Sequence, residues 1–242
     1  MSTTLVVGAS GATGQQVVTQ LLNAQHKVKA IVRSSVILPH SWEDNPDLTV
    51  IRANVLDIEI PQMAAHLEGC TAVVSCLGHN LTLKGMFGSP RKLVKETVVL
   101  LSKAIQMHPK ALPMRLVLMN TSGNRNKDAT EPVAFSQKVL LKWLKVLLPP
   151  FADNIAAAEY LRAEIGQKNS WMEWVVVRPD ALVDLTEVTP YAVYPSPIRS
   201  AIFNAGQTSR MNVGHFIAAL VCDLEQWNKW KGQMPVVYNK TE

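Results

Sequence analysis

The chain has 242 residues, 48% hydrophobic and 18% charged, enough to bury roughly 70–75% of its unfolded surface in one core. Its 12 Gly and 14 Pro exclude a collagen-like or long disordered chain, and no apolar run approaches the ~20 residues of a membrane helix. The net charge of +5 comes from 24 Lys and Arg interspersed with acids, which points to an anionic small molecule and away from nucleic acid.

Strand-length apolar runs alternate with helical patterns along the chain. Thr4–Gly8 (TLVVG) predicts a strand ending in glycine, so the N-terminus reads as a strand and not as a leader. Gly14–Ala24 predicts a helix with Val17, Val18, Leu21 and Leu22 on one stripe. Strands follow at Lys29–Arg33, Leu48–Ala53 and Ala72–Cys76, then a long helix over Arg91–Met107. Arg115–Asn120 predicts the fifth strand, Ala156–Ile165 a helix and Trp174–Arg178 the sixth strand. A helix over Asn212–Glu225 and a last strand at Pro235–Tyr238 complete the pattern. Such alternation implies βαβ units and a mainly parallel, doubly wound α/β sheet with helices on both faces. We expect a single domain over 1–242, with 183–210 as the segment walling a substrate pocket. Three cysteines, Cys70, Cys76 and Cys222, are too few for a disulfide framework and suggest a reducing, cytoplasmic setting.

The stretch GASGATG places Gly8, Gly11 and Gly14 between the first strand and the first helix. A dinucleotide pyrophosphate needs a tight turn, close backbone approach and the free N–H groups of a helix N-terminus. Ser10 and Thr13 add hydroxyls that would donate to phosphate or cap the helix, and Ala12 belongs to the same cofactor-binding loop. At the end of the second strand an acidic residue would bind the 2′-hydroxyl of NAD. Arg33 stands there instead, followed by Ser34 and Ser35, and the first carboxylate beyond is Glu43. An arginine fork with hydroxyls suits a 2′-phosphate, so NADP(H) is expected over NAD(H).

These residues resemble the atypical short-chain dehydrogenase/reductases, in the branch of NmrA-like and flavin-reductase-like NAD(P)H-binding proteins. The resemblance covers nearly the whole chain, through GASGATG (8–14), IVR (31–33), ANVLD (53–57), VVSCLG (73–78), NTSG (120–123), AAEYL (157–161), WVVVRPDALVD (174–184) and TSRMNVGHFIAAL (208–220). It implies a Rossmann-type fold with a small C-terminal substrate-side region. It also implies that Asn54, Val55 and Asp57 flank the adenine and that Cys76, Leu77 and Gly78, with the neighbouring His79, line the adenosine and ribose. Thr121 and Ser122 would face the nicotinamide, and Pro179, Asp180, Ala181 and Leu182 would cover its carboxamide.

The chain departs from the usual short-chain pattern in its proton donor. Those enzymes carry Tyr-x-x-x-Lys on one helix, where the lysine charge lowers the tyrosine pKa. Here Tyr160 is followed by Glu164, Tyr191 by Pro195, Tyr194 by Ile198 and Tyr238 by Glu242. A quinone or flavin takes hydride without that pair, the protein supplying orientation. Ser122 or Thr121 would polarise an acceptor, and Asp153 or Tyr160 would relay a proton. The expected function is an NADPH-dependent oxidoreductase acting on a small planar or carbonyl-containing acceptor, with a non-catalytic NmrA-like redox sensor as the alternative. The six histidines show no metal spacing. Lys138–Leu148 is a basic amphipathic stretch expected to pack as a helix beside the cofactor domain, with no membrane insertion, in a monomer or homodimer. Tyr191, Tyr194, Pro195, Pro197 and Phe203 are expected at the pocket wall.

Overall fold

The period-2 and period-3.6 apolar runs fold into a layered α/β arrangement in a computed structural model, which describes residues 2–79, 82, 87–108, 112–131 and 135–240, the side chains at 135–139 and 142 excepted. In chain order the elements are β1 (Thr3–Val7), α1 (Ala12–Asn23), β2 (Lys27–Val32), β3 (Leu48–Arg52), α2 (Ile60–His66), β4 (Cys70–Ser75), α3 (Leu93–Gln106), β5 (Met114–Met119), α4 (Phe135–Leu147), α5 (Pro149–Tyr160), β6 (Met172–Pro179), β7 (Ala181–Val183), β8 (Tyr191–Tyr194), β9 (Gln207–Ser209), α6 (Arg210–Cys222), α7 (Leu224–Trp230) and β10 (Val236–Asn239). The main sheet has the order β3-β2-β1-β4-β5-β6-β10-β8. Its pairings are parallel from β3 to β10, and only the edge strand β8 runs antiparallel. A separate parallel pair joins β7 to β9.

The unbroken Val/Leu/Ile character of the strands follows from burial on both faces. On one face, Leu5, Val7, Val73, Leu116 and Val176 pack against Met63 of α2, Val98 and Leu101 of α3 and Ala157 of α5. On the other, Val6, Ala30, Val74, Val117 and Val175 pack against Val17 and Leu21 of α1, Phe216 and Ile217 of α6 and Trp227 of α7. Alternate residues of each strand therefore serve alternate cores.

Two expectations need correction. The helix read over Asn212–Glu225 is two helices, because Asp223 is extended and its carboxylate accepts from Glu225 N and Gln226 N, opening α7. The helix read from Ala156 begins at Pro149, a proline being well suited to the first turn, and ends in a π-turn over Leu161–Ile165. The amphipathic stretch forms most of α4, which packs on α5, yet Trp143, Val146 and Leu147 remain exposed; the side chains of Lys138 and Lys142 lie outside the described residues. Among the described residues no helix is long and apolar enough to cross a membrane.

Two polar links join α5 to its neighbours. Asp153, 3% exposed, accepts from Val94 N (2.8 Å) and Lys95 N (3.0 Å), so its carboxylate closes the N-terminus of α3 from a different helix. Its Oδ2 also lies 2.8 Å from His79 Nε2, tying in the segment after β4. On the surface, Glu159 binds Arg162 and Lys127, and Arg162 reaches Asp128.

Asp153→Ala removes the acceptor of two helix N–H groups and the bond to His79 and is expected to lower unfolding stability by about 3 kcal/mol in urea titration. A loss below about 0.5 kcal/mol, the scale of an ordinary surface change, contradicts the assignment. The Arg162 guanidinium, aided by Lys127, holds the Glu159 carboxyl from an ordinary 4.5 down to about 2. The folded value lies below the unfolded one, so this contribution is complete above pH 4.5 and fades as pH falls toward 2. Glu159→Gln is therefore expected to lower the melting temperature slightly at neutral pH, solvent screening keeping the effect small, and to converge with the parent protein in acid. A pH-independent difference speaks against it.

Candidate functional site

The parallel register brings the carboxyl ends of β1, β2, β3 and β4 to one edge, where a cleft of about 400 Å³ opens. Open parallel sheets bind ligands at such an edge. The cleft is lined by Gly8, Ser10 and Gly11 after β1, Arg33 after β2, Asn54 and Val55 after β3, and Cys76, Leu77, Gly78 and His79 after β4. Ile31, Val32, Ala53, Thr82, Ser89, Pro90 and Leu93 complete the lining, and the sequence reading had not singled these out.

The loop after β1 cannot take this shape with other residues at two positions. Gly8 has φ +72°, and a Cβ there would lie 2.8 Å from the Cys76–Leu77 peptide. A Cβ on Gly14 would lie 2.1 Å from the Gly8 carbonyl oxygen. The first turn of α1 therefore closes directly on the end of β1. Its N-cap is Gly11, without a side-chain cap and with no acidic residue in the first turn. This corrects the capping expectation for Ser10 and Thr13. The Ser10 carbonyl accepts from Gln15 Nε2, and Thr13 is buried. The helix N-terminus thus keeps its N–H groups and positive dipole end for an anion.

The remaining sequence candidates divide. Ala12 begins α1 beside the cleft, and Ser34 is exposed next to Arg33. Asp57 is exposed in the turn after β3 and does not line the cleft. Burial pushes the Cys76 thiol up to about 12, so it is neutral at physiological pH and behaves as a small apolar group.

A second cluster lies at the ends of β5 and β6. Thr121 N is held by Asn120 Oδ1, and Asn120 Nδ2 donates to the Asn154 carbonyl on α5. Ser122 is buried, its N–H on the Pro179 carbonyl and its hydroxyl donating to Asp180 Oδ1 at 2.9 Å. Asp180 Oδ2 accepts from Gly206 N, and Asp180 N donates to Thr208 Oγ1. Ala181 and Leu182 then pair with Gln207 and Thr208 of β9. Pro179 to Leu182 thus join the ends of β5 and β6 to the 206–208 segment. Beneath them Arg178, fully buried, donates to Glu131 Oε1 (2.7 Å) and to the Asn124 and Met234 carbonyls, which fixes the loop that carries Thr121 and Ser122.

Tyr160 stands apart from both clusters. It packs at the α3–α5 contact, and burial, which outweighs the opposing influence of Ser102, raises its pKa and so opposes proton transfer at neutral pH. Asp153 is likewise spent on α3 and His79. Tyr191 packs edge-on to His215 and Phe216 and bonds His215 Nδ1, on the sheet face that carries α6. Tyr194 meets Tyr238. Sequence spacing carried no signal for these partners. Among the described residues no group of three His, Cys, Asp or Glu is placed to hold a metal ion. A wider cavity of about 610 Å³, lined by Arg115, Glu173 and Trp227, lies at the opposite end of the strands, away from the glycine loop.

Among curated proteins none matches the sequence. In fold the chain is similar to a candidate NAD-dependent epimerase/dehydratase of Bacillus halodurans (20% identity, TM-score 0.70, covering 99% of this chain and 95% of that one). It is similar also to a Veillonella parvula short-chain dehydrogenase/reductase in complex with NADP (16%, 0.67, 98% and 94%). A third is a candidate NADH-flavin reductase of Streptococcus pneumoniae (16%, 0.67, 99% and 100%). The family model for NAD(P)H-binding proteins matches residues 8–223, from the first glycine of the loop to the residue that opens α7. With the uncapped helix end, the glycine cradle and the cleft at the carboxyl edge, that match makes this chain a member of the NAD(P)H-binding family.

Proposed function

We propose that the protein is an NADPH-dependent oxidoreductase that reduces a small planar or carbonyl-containing acceptor such as a quinone or flavin. The observation that carries this reading is the pairing of the open α1 N-terminus with Arg33, both on the lining of one cleft. The residues fit the cofactor: Gly8 and Gly14 let the loop fold tightly enough to set the uncapped α1 N-terminus at the end of β1, and no carboxylate stands at the end of β2 to repel a 2′-phosphate. Gly8–Gly14 would hold the pyrophosphate, Arg33 and Ser34 the 2′-phosphate, Asn54 and Val55 the adenine, and Cys76 to His79 the ribose. Thr121, Ser122 and Pro179 to Leu182 would shape the nicotinamide end. Asp57 and Tyr160 have no part in this assignment.

When bound, the reduced nicotinamide supplies a hydride. The chain's own contribution is then orientation, worth up to about 7–11 kcal/mol of barrier where reacting atoms are well aligned. Ser122 acts by positioning, because its hydroxyl proton is directed to Asp180. The acceptor's proton comes from solvent or from the Thr121 hydroxyl. A second reading, a redox sensor without turnover, draws on the same fact, since Ser122 and Asp153 are engaged in structural bonds and Tyr160 is packed against the core.

Titration with NADPH, NADP⁺, NADH and NAD⁺, followed by reduced-nicotinamide absorbance with a quinone and flavin panel, separates the two. Binding with decay supports the reductase; tight binding without decay across the panel moves the weight to the sensor. Arg33→Ala is expected to weaken NADPH about tenfold or more while leaving NADH within about twofold, one charge-assisted bidentate contact being lost. An unchanged ratio of the two affinities removes the NADP assignment.

A further inference from the structure

Arg33 is not the only guanidinium at this corner. Arg52, the last residue of β3, pairs in register with Val32, the residue before Arg33. Its Nη1 donates to the Ser34 carbonyl and to the Val36 carbonyl, both at 3.1 Å. The same loop is closed by Val36 N donating to the Arg33 carbonyl at 3.1 Å. Among the described residues neither Arg33 nor Arg52 forms an ion pair with a carboxylate. Two exposed cations thus flank the Arg33–Val36 loop, Arg33 on the cleft lining and Arg52 behind it, and like charges held together favour an anion nearby.

We infer that Arg52 is a specificity-determining positioning residue for the 2′-phosphate. It braces the Arg33–Val36 loop through two carbonyls and so presents Arg33 and the Ser34 and Ser35 hydroxyls to the phosphate. This deepens the NADP(H) reading above and rests on it. A four-residue loop with three exposed residues otherwise samples many conformations, and ordering it beforehand removes that cost from binding. Both bonds come from the one Nη1, which lies one bond further along the side chain than a lysine nitrogen, so an ammonium on the same backbone falls short of the two carbonyls. The brace touches no part of the pyrophosphate loop, so it acts on phosphate discrimination and not on dinucleotide binding in general.

The test measures dissociation constants of NADPH and NADH by fluorescence for the parent protein, Arg52→Gln and Arg52→Lys, together with 2′,5′-ADP against 5′-AMP as cofactor-free probes. Both variants are expected to lose about tenfold in NADPH and 2′,5′-ADP affinity, with NADH and 5′-AMP within about twofold. The loss is expected to persist at high salt, where a mere long-range charge effect is screened. An unchanged NADPH/NADH ratio in Arg52→Gln overturns the inference. So does a parallel loss of both cofactors, the mark of general damage. Full retention by Arg52→Lys overturns the brace, because charge alone then suffices. A parent protein that does not prefer NADPH fails the earlier reading instead, which the parent titration reveals by itself.

Discussion

The parallel run of strands from β3 to β10 is the constraint on which the molecule depends. Parallel pairing sends every strand's carboxyl end to the same edge, and each return through a helix brings a helix N-terminus back to that edge. Unsatisfied N–H groups therefore accumulate beside the loops after β1 and β4. Each must be answered, because a helix end leaves four donors without partners.

The protein answers two of these ends in opposite ways. At α3 the buried Asp153 carboxylate supplies the acceptors and draws in His79, so that end is structural. At α1 no side chain intervenes, and Gly8 and Gly14 bring the backbone so close that none would fit. The same physical requirement thus yields a strut in one place and an uncapped helix end in another. The cleft lies between them, with His79 and Leu93 on the strut side and Ser10 and Gly11 on the open side.

Polar groups that look chemically active are largely consumed in holding this edge together. Ser122 and Asp180 tie β5 to β6 and to the 206–208 segment, and the fully buried Arg178 sits beneath them on Glu131 and three carbonyls. A buried ion pair of this kind fixes geometry more than it adds stability, since desolvation offsets much of its attraction. An oxidoreductase whose acceptor needs little proton assistance is compatible with such an arrangement.

The sequence by itself determined the alternation of β1 to β6 with helices, the glycine loop and the position of Arg33. These rest on local rules, namely apolar periodicity, the lack of a Cβ and the distance from loop to strand end. The short strands β7, β8 and β9 escaped notice because three or four residues carry no period, and the break at Asp223 because an acidic cap was hidden inside one apolar stripe. Arg52 stood in plain view before ANVLD, but its meaning required knowing that β3 lies beside β2. Only the tertiary structure decided which polar groups meet. His79 and Asp153 are 74 positions apart and Ser122 and Asp180 58 apart, separations over which composition and spacing carry no information. Which helix packs on which strand sets those pairs, and with them the division between residues that hold the site and residues left to serve it.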